Sequence, residues 1–223
     1  MKQQTIRRVA SFDGVGLHSG QQVRLTVSPA PADSGIAFKV SGHSRVIPAA
    51  PESVVNSRNA TTIGADKVRV QTVEHLMAAA AGLGIDNLEV EVSGSETPAG
   101  DGSAKPFVAL LASAGRRDLA ARRRPITIPY PIFVGTDGRW IRVVPSDQLK
   151  ISYTLDNDHP GVGTQVLTYV HSERTFVDEI APARTYGFLK DLGFLRKNGL
   201  ARGVSLDNVV ALGKDGPLNP LRF

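Results

Sequence analysis

The stretch QTVEHLMAAAAGLGIDN, residues 71–87, sets Glu74 beside His75 at the head of an Ala-rich apolar run. A carboxylate can take a proton, and an imidazole can bind a metal or shuttle a proton, so the two can share one reaction centre. The apolar positions Val73, Leu76, Met77, Ala80 and Leu83 recur near i, i+3, i+4, i+7 and i+10, which predicts a helix with one core face. Thr72 is the expected N-cap, and Gly82 or Gly84 the expected stop. Glu74 and His75 then fall at N2 and N3, where backbone N–H groups lack intrahelical acceptors and the dipole end is positive. That setting suits a carboxylate and pushes an imidazole toward its neutral, metal-binding form. Neighbouring residues differ by about 100° around a helix. The two side chains can therefore flank a point beyond the helix end, with His on a metal and Glu on the metal's water. The same dipeptide also fits a plain helix-stabilising Glu beside a partly packed His.

The bulk numbers narrow the field. The chain has 223 residues, 41% hydrophobic and 21% charged, within the range of a globular protein with an ordinary core. No run approaches the roughly 18 apolar residues of a membrane span, and the N-terminal segment lacks the apolar core of a signal peptide. A cytoplasmic location is expected. The absence of cysteine excludes disulfides, thiolate zinc sites and Cys nucleophiles, so any metal falls to His, Asp or Glu. The net charge of +5 points to anionic partners. Arg116, Arg117, Arg122, Arg123 and Arg124 crowd into one run without an interleaved aromatic residue, which argues against a nucleic-acid stacking platform. A solvated linker is the simpler reading.

That run divides the chain. The expected organisation is a first α+β domain over 1–115, a basic linker over 116–127 and a second α+β domain over 128–223. QVRLTVSPA alternates with period two through Val23, Leu25 and Val27, as a half-buried strand does. IAFKV, KVRVQ and LEVEVSG are further strands, and PFVALLASAG a second helix. In the second half WIRVV, LKISYTL and VLTYV read as strands and TFVDEIAPA as a short helix. GFLKDLGFLRKNGL reads as a helical hairpin or a helix broken at Gly193, and VSLDNVVAL as a strand. Both halves combine a sheet with a helix layer, giving an α+β class of two related units.

Five segments taken in order, DGVGLHSGQQVRLTVSPAPADSGIAF, TVEHLMAAAAGLGIDN, DGSAKPFV, ARTYGFLKDLGFLRKNGL and VSLDNVV, closely resemble the UDP-3-O-acyl-N-acetylglucosamine deacetylases, zinc amidases of lipid A synthesis. The resemblance runs from about residue 3 to residue 223. It implies two domains with facing helix layers and the site between them. It makes Glu74 the general base and His75 a Zn2+ ligand, and it gives the Thr185 hydroxyl a part in holding the oxyanion. His18, in GLHSG, corresponds to a substrate-contacting residue. Tyr186 and Phe188 match aromatics at the mouth of an acyl-chain passage, with Tyr186 in place of the usual Phe. An insert over about 186–204 would form that passage, with Leu189 and Leu200 among its apolar residues. The implied partner is a UDP-3-O-acyl-GlcNAc substrate, taken by a monomer, with no nucleic acid. His43, His159 and His171 are expected to be structural or surface residues.

The resemblance also implies two more zinc ligands, in an H-K-x-x-D motif following a segment like the final Leu221-Arg222-Phe223, and a later histidine as general acid. A catalytic zinc takes about three protein ligands and a water. The expectation is a C-terminally incomplete chain with weak or no zinc binding and little turnover. The competing expectation is a truncated, non-catalytic paralogue that binds UDP-sugar lipid or a partner protein.

Overall fold

The computed structural model describes residues 1–223. The first half opens with β1 (Lys2–Ile6), β2 (Ala10–Val15), β3 (Gln22–Pro29), β4 (Ile36–Val40) and β5 (Val46–Pro48). It continues with β6 (Val54–Asn56), β7 (Thr62–Ala65), β8 (Val68–Gln71), α1 (Glu74–Gly82), β9 (Leu88–Val92) and α2 (Lys105–Ala114). Strands order as β2-β3-β9-β4-β5 in the main sheet and β6-β7-β8 in a smaller one. All neighbours are antiparallel except β4 and β9. The period-two pattern of β3 buries Val23, Leu25 and Val27, and β9 buries Leu88, Val90 and Val92 in the same way. Those faces meet α1 and α2, whose Leu76, Ala79, Phe107 and Leu111 are fully buried.

The run expected as a basic linker is divided. Arg116–Arg122 forms β10, antiparallel to β1, while 123–129 carry no regular element. Several of its arginines are held by acids. Arg116 pairs with Glu173 at 2.7 Å, Arg123 with Asp86 at 2.9 Å and Arg124 with Asp33 at 3.6 Å.

The second half begins with two hairpins, β11 (Ile132–Thr136) with β12 (Arg139–Val143) and β13 (Lys150–Leu155) with β14 (Gln165–Val170). A helical turn, α3 (Glu173–Thr175), continues as a π-helical turn over Phe176–Ile180. Then come β15 (Tyr186–Phe188), α4 (Leu189–Lys197) and β16 (Val210–Leu212), with β15 and β16 parallel. The structure differs from two sequence readings here. The segment around Gly193 is one continuous helix, and a side chain at Gly193 would meet open space, so glycine there imposes no break. VSLDNVVAL supplies only three strand residues. The Asn208 Oδ1 accepts from the Ser205 N–H and the Asn208 N–H bonds the Ser205 carbonyl, and this local turn competes with a ladder.

The core is lopsided. Of 26 residues in the main buried apolar cluster, only Tyr169, Phe176 and Ala181 come from the second half. In the first hairpin, successive residues Phe133 and Val134, and Trp140 and Ile141, are all more than 60% exposed, so both of its faces are open. No helix is long and apolar enough to cross a membrane.

Candidate functional site

The helix bearing Glu74 and His75 starts one residue later than the Thr72 cap predicts. Val73 occupies the cap position without a side-chain cap bond, so Glu74 is N1 and His75 is N2. Thr72 does something else. It sits at φ +62°, a left-handed conformation that costs a β-branched residue of order 1–3 kcal/mol. Two contacts hold it there: the Thr97 hydroxyl donates to the Thr72 carbonyl at 2.6 Å, and the Thr72 hydroxyl donates to Glu96 Oε1 at 3.0 Å. The kink turns β8 directly into α1, and it places Glu74 and His75 on the first turn.

Glu74 is half-buried and accepts the Thr61 N–H on Oε2 at 3.0 Å, which fixes its carboxylate and leaves Oε1 free of protein donors. Burial is the largest influence on His75 and lowers its pKa from the usual 6.5. The negative charges of Glu74 and Asp101 oppose that lowering without reversing it. His75 is therefore a neutral imidazole at neutral pH, able to offer a lone pair.

Asp101 was not singled out by spacing. It lies in the DGSA turn that leads into α2, and its Oδ1 accepts both the N–H (3.1 Å) and the hydroxyl (2.7 Å) of Ser103. Arg222 donates to Oδ2 at 2.6 Å and to the Pro182 carbonyl at 2.9 Å. Burial pushes the Asp101 carboxyl upward, but the Ser103 and Arg222 hydrogen bonds and the Arg222 charge outweigh it, so its pKa is lowered. An Asp two residues before a Ser at a helix start is a local turn signature that marks this position in the sequence.

The DGSA turn also carries the second half. The Gly102 carbonyl accepts the Thr185 N–H at 2.7 Å, and the Asp101 carbonyl accepts Arg184 Nε at 2.9 Å. Gly102, at φ +80°, lies so close to the Asn208 carbonyl that a side chain there would collide with it. Thr185 is thus bonded to the same DGSA turn whose Asp101 carboxylate is close enough for its charge to be felt at His75.

Tyr186 and Phe188 share a face of β15, edge to face with ring centroids 5.8 Å apart. Lys190 lies over the Phe188 ring, and His159 packs against it while its Nε2 contacts the Gly213 carbonyl at 2.7 Å. Leu189 is exposed and Leu200 half-buried. His18 is buried, with Nδ1 accepting from the Ala201 N–H at 3.4 Å and Nε2 without a partner. An open pocket of about 420 Å³ lies beside Asp101, lined also by Phe12, Pro106 and Asn208.

Whether these residues suit a zinc ion can be judged from their donors. His75 fits as one neutral imidazole, but no three His, Asp or Glu converge anywhere in the chain. A catalytic zinc needs about three protein donors. The residues present therefore do not compose a zinc site.

Comparison with known proteins gives a consistent picture. A family model described as UDP-3-O-acyl N-acetylglycosamine deacetylase matches residues 3–223. A protein of Myxococcus xanthus named UDP-3-O-acyl-N-acetylglucosamine deacetylase is 46% identical over 225 residues, covering 99% of this chain and 72% of the relative. Relatives of the same name from Syntrophotalea carbinolica and Oleidesulfovibrio alaskensis are 44% and 43% identical. They cover 98% and 100% of this chain, and 71% and 74% of their own lengths.

Proposed function

Because the chain belongs to the UDP-3-O-acyl N-acetylglycosamine deacetylase family, we propose that its Glu74–His75–Thr185 centre hydrolyses the acetamide of UDP-3-O-acyl-N-acetylglucosamine in lipid A synthesis. Acetate and a free amine are the products. What supports this reading is the family match over residues 3–223 together with the bond that ties Thr185 to the DGSA turn.

Glu74 is the base. One carboxylate oxygen is anchored by the Thr61 N–H, and the other is left to take a proton from an attacking water. His75 supplies a neutral nitrogen beside that water. Zn2+ is the cofactor the family resemblance implies, with His75 as one of its ligands. The Thr185 hydroxyl sits on a segment fixed at both backbone ends, by Gly102 and by the Val210 N–H donating to its carbonyl at 2.9 Å. Such a pre-set donor suits the oxyanion that forms as the carbonyl is attacked. Tyr186 and Phe188 offer an aromatic face for the acyl chain, with Leu189 and Leu200 beyond it. His18, whose ring meets the Ala201 N–H, is the further substrate contact in this reading. We further propose two units that meet at this centre, acting as a cytoplasmic monomer.

Turnover by these residues alone is expected to be slow, since a single imidazole does not make a complete metal site. The test is amine release from UDP-3-O-acyl-N-acetylglucosamine over a long incubation, with substrate binding measured by calorimetry. Substrate should bind, and slow amine release should vanish in Glu74→Gln. Equal release by Glu74→Gln would overturn the assignment of the base. Binding without any release would leave a non-catalytic binder of UDP-sugar lipid.

A further inference from the structure

Glu96 is among the most buried side chains in the protein, 1% exposed. A carboxylate in such a place must have its oxygens satisfied. Here both are. Oε1 accepts the His18 N–H at 2.8 Å and the Thr72 hydroxyl at 3.0 Å, and Oε2 accepts the Ser19 N–H at 2.8 Å. Its three donors come from two distant stretches of chain. One is the kink before the α1 first turn. The other is the Gly-flanked loop GLHSG, residues 16–20.

The outer side of that loop is where the second half docks. The Arg202 N–H donates to the His18 carbonyl at 3.2 Å, and the Gly203 N–H donates to the Leu17 carbonyl at 3.0 Å. A side chain at Gly203 would collide with the Gly16 carbonyl, and one at Gly16 would collide with the Glu96 carboxylate itself. Glu96, Gly16 and Gly203 are thus stacked with no spare room between them. Residues 96–98 are wedged between the two sides, bridging Gln71 through Glu96 and Gly16 through Pro98.

We propose that Glu96 is a positioning residue, a buried carboxylate clamp that ties the α1 first turn to the seam with the second half. On one side it keeps Thr72 in its left-handed conformation, and so sets where Glu74 and His75 stand. On the other it shapes the loop on which Ala201–Gly203 rest. The placing of the α1 pair relative to the Ala201–Gly203 segment is then governed by one side chain that touches neither. The catalytic meaning of the clamp rests on the deacetylase reading, but its mechanical existence does not.

The test uses the full chain with Glu96→Gln, which keeps the shape but puts an amide NH2 where a donor already points, and Thr72→Ala, which removes one contact only. Amide hydrogen exchange and the His75 ring signals in nitrogen–proton NMR are the readouts, and neither needs substrate. In Glu96→Gln the His18 and Ser19 amides should exchange about tenfold faster or more, as loss of a charge-assisted bond implies. The Arg202 and Gly203 amides, which touch no atom of Glu96, should also exchange faster, while Val27 and Val90 in the main sheet hold. The His75 ring signals should move in both variants. The seam amides should respond only in Glu96→Gln.

Unchanged seam amides in Glu96→Gln, or a uniform rise that includes Val27 and Val90, would overturn the clamp. If Glu96→Gln does not fold, Thr72→Ala decides, and unmoved His75 signals refute the proposal. Where wild-type turnover is measurable, Glu96→Gln should lower kcat about tenfold or more with KM within about twofold, the signature of misplaced groups. The expected NMR response in a chain without any turnover would sink the deacetylase reading and leave the clamp standing.

Discussion

Gly82, the last residue of α1, offers a prediction whose sign reverses with a second substitution. An added Cβ at Gly82 would run into three ring atoms of Phe176, which is 5% exposed and is one of the few second-half side chains in the main core. Gly82→Ala should gain about 0.5–1 kcal/mol from helix propensity and backbone entropy. Overpacking against the ring should cost about 1–3 kcal/mol. The clash involves the body of a buried ring rather than a mobile tip, so cost wins, and a net loss of roughly 0.5–2 kcal/mol follows. Phe176→Ala alone should cost about 3–5 kcal/mol. In that background the obstacle is gone, and Gly82→Ala should stabilise by about 0.5–1 kcal/mol. The double-mutant coupling then equals the overpacking energy, about 1–3 kcal/mol. Urea unfolding followed by circular dichroism measures all four proteins. If Gly82→Ala stabilises both backgrounds alike, Phe176 does not sit on α1, and the packing of the second half against the first is wrong.

Further outcomes follow from the site. Stability should fall as pH drops below about 6.5, because the unfolded chain takes up a proton on His75 that burial denies the folded chain; His75→Gln should flatten that slope in pH-dependent urea midpoints. Asp101, whose pKa is lowered, contributes stability that is complete above 3.8 and fades as pH falls through its folded value, so Asp101→Asn should shrink the acid-side loss in the same titration. Arg222→Ala removes bonds to Asp101, Ser103 and Pro182 from a partly exposed guanidinium and should cost about 1 kcal/mol, read as a lower thermal midpoint. Glu74→Gln should remove amine release while leaving substrate affinity within about threefold, measured by calorimetry.

The periodic elements were legible because their residues report burial directly. The alternation in β3 and β9 and the i, i+3, i+4 spacing in α1 reflect one core, and the structure places their apolar faces there. Glu74 and His75 stood out as a chemically unusual pair at a helix start. The position of that start was off by one because Thr72 looks like a cap. The hydroxyl is instead taken by Glu96, 24 residues away in sequence, and no local pattern reveals a partner at that range. Glu96 is hidden for the same reason, since an acid in SETPAGDGS reads as solvated until long-range donors are known, whereas Asp101 carries a local turn signature with Ser103 and only its Arg222 partner, 121 residues away, is out of sight. β10 was hidden by composition. Its arginine-rich strand pairs with β1 at an edge where side chains reach solvent, so charge does not oppose the ladder.

Core residues are shared unevenly between the two halves. The first half brings 23 of the 26 main core residues and can hold the α1 first turn by itself. The second half brings few, and the hairpin β11–β12 buries little of its apolar surface. The residues proposed as its share of the site are therefore not positioned by a core of their own. They are positioned by backbone bonds to first-half loops: Thr185 to Gly102, and Arg202 and Gly203 to residues 17 and 18. Each contact requires close approach, which is why Gly16, Gly102 and Gly203 lie at the points of contact. Adding a methyl at Gly102 should then displace Thr185 without disturbing the first-half core. Gly102→Ala is expected to lose amine release while the first-half amides keep their exchange protection, whereas loss of protection in β3 and β9 would show that the seam and the core are one cooperative unit.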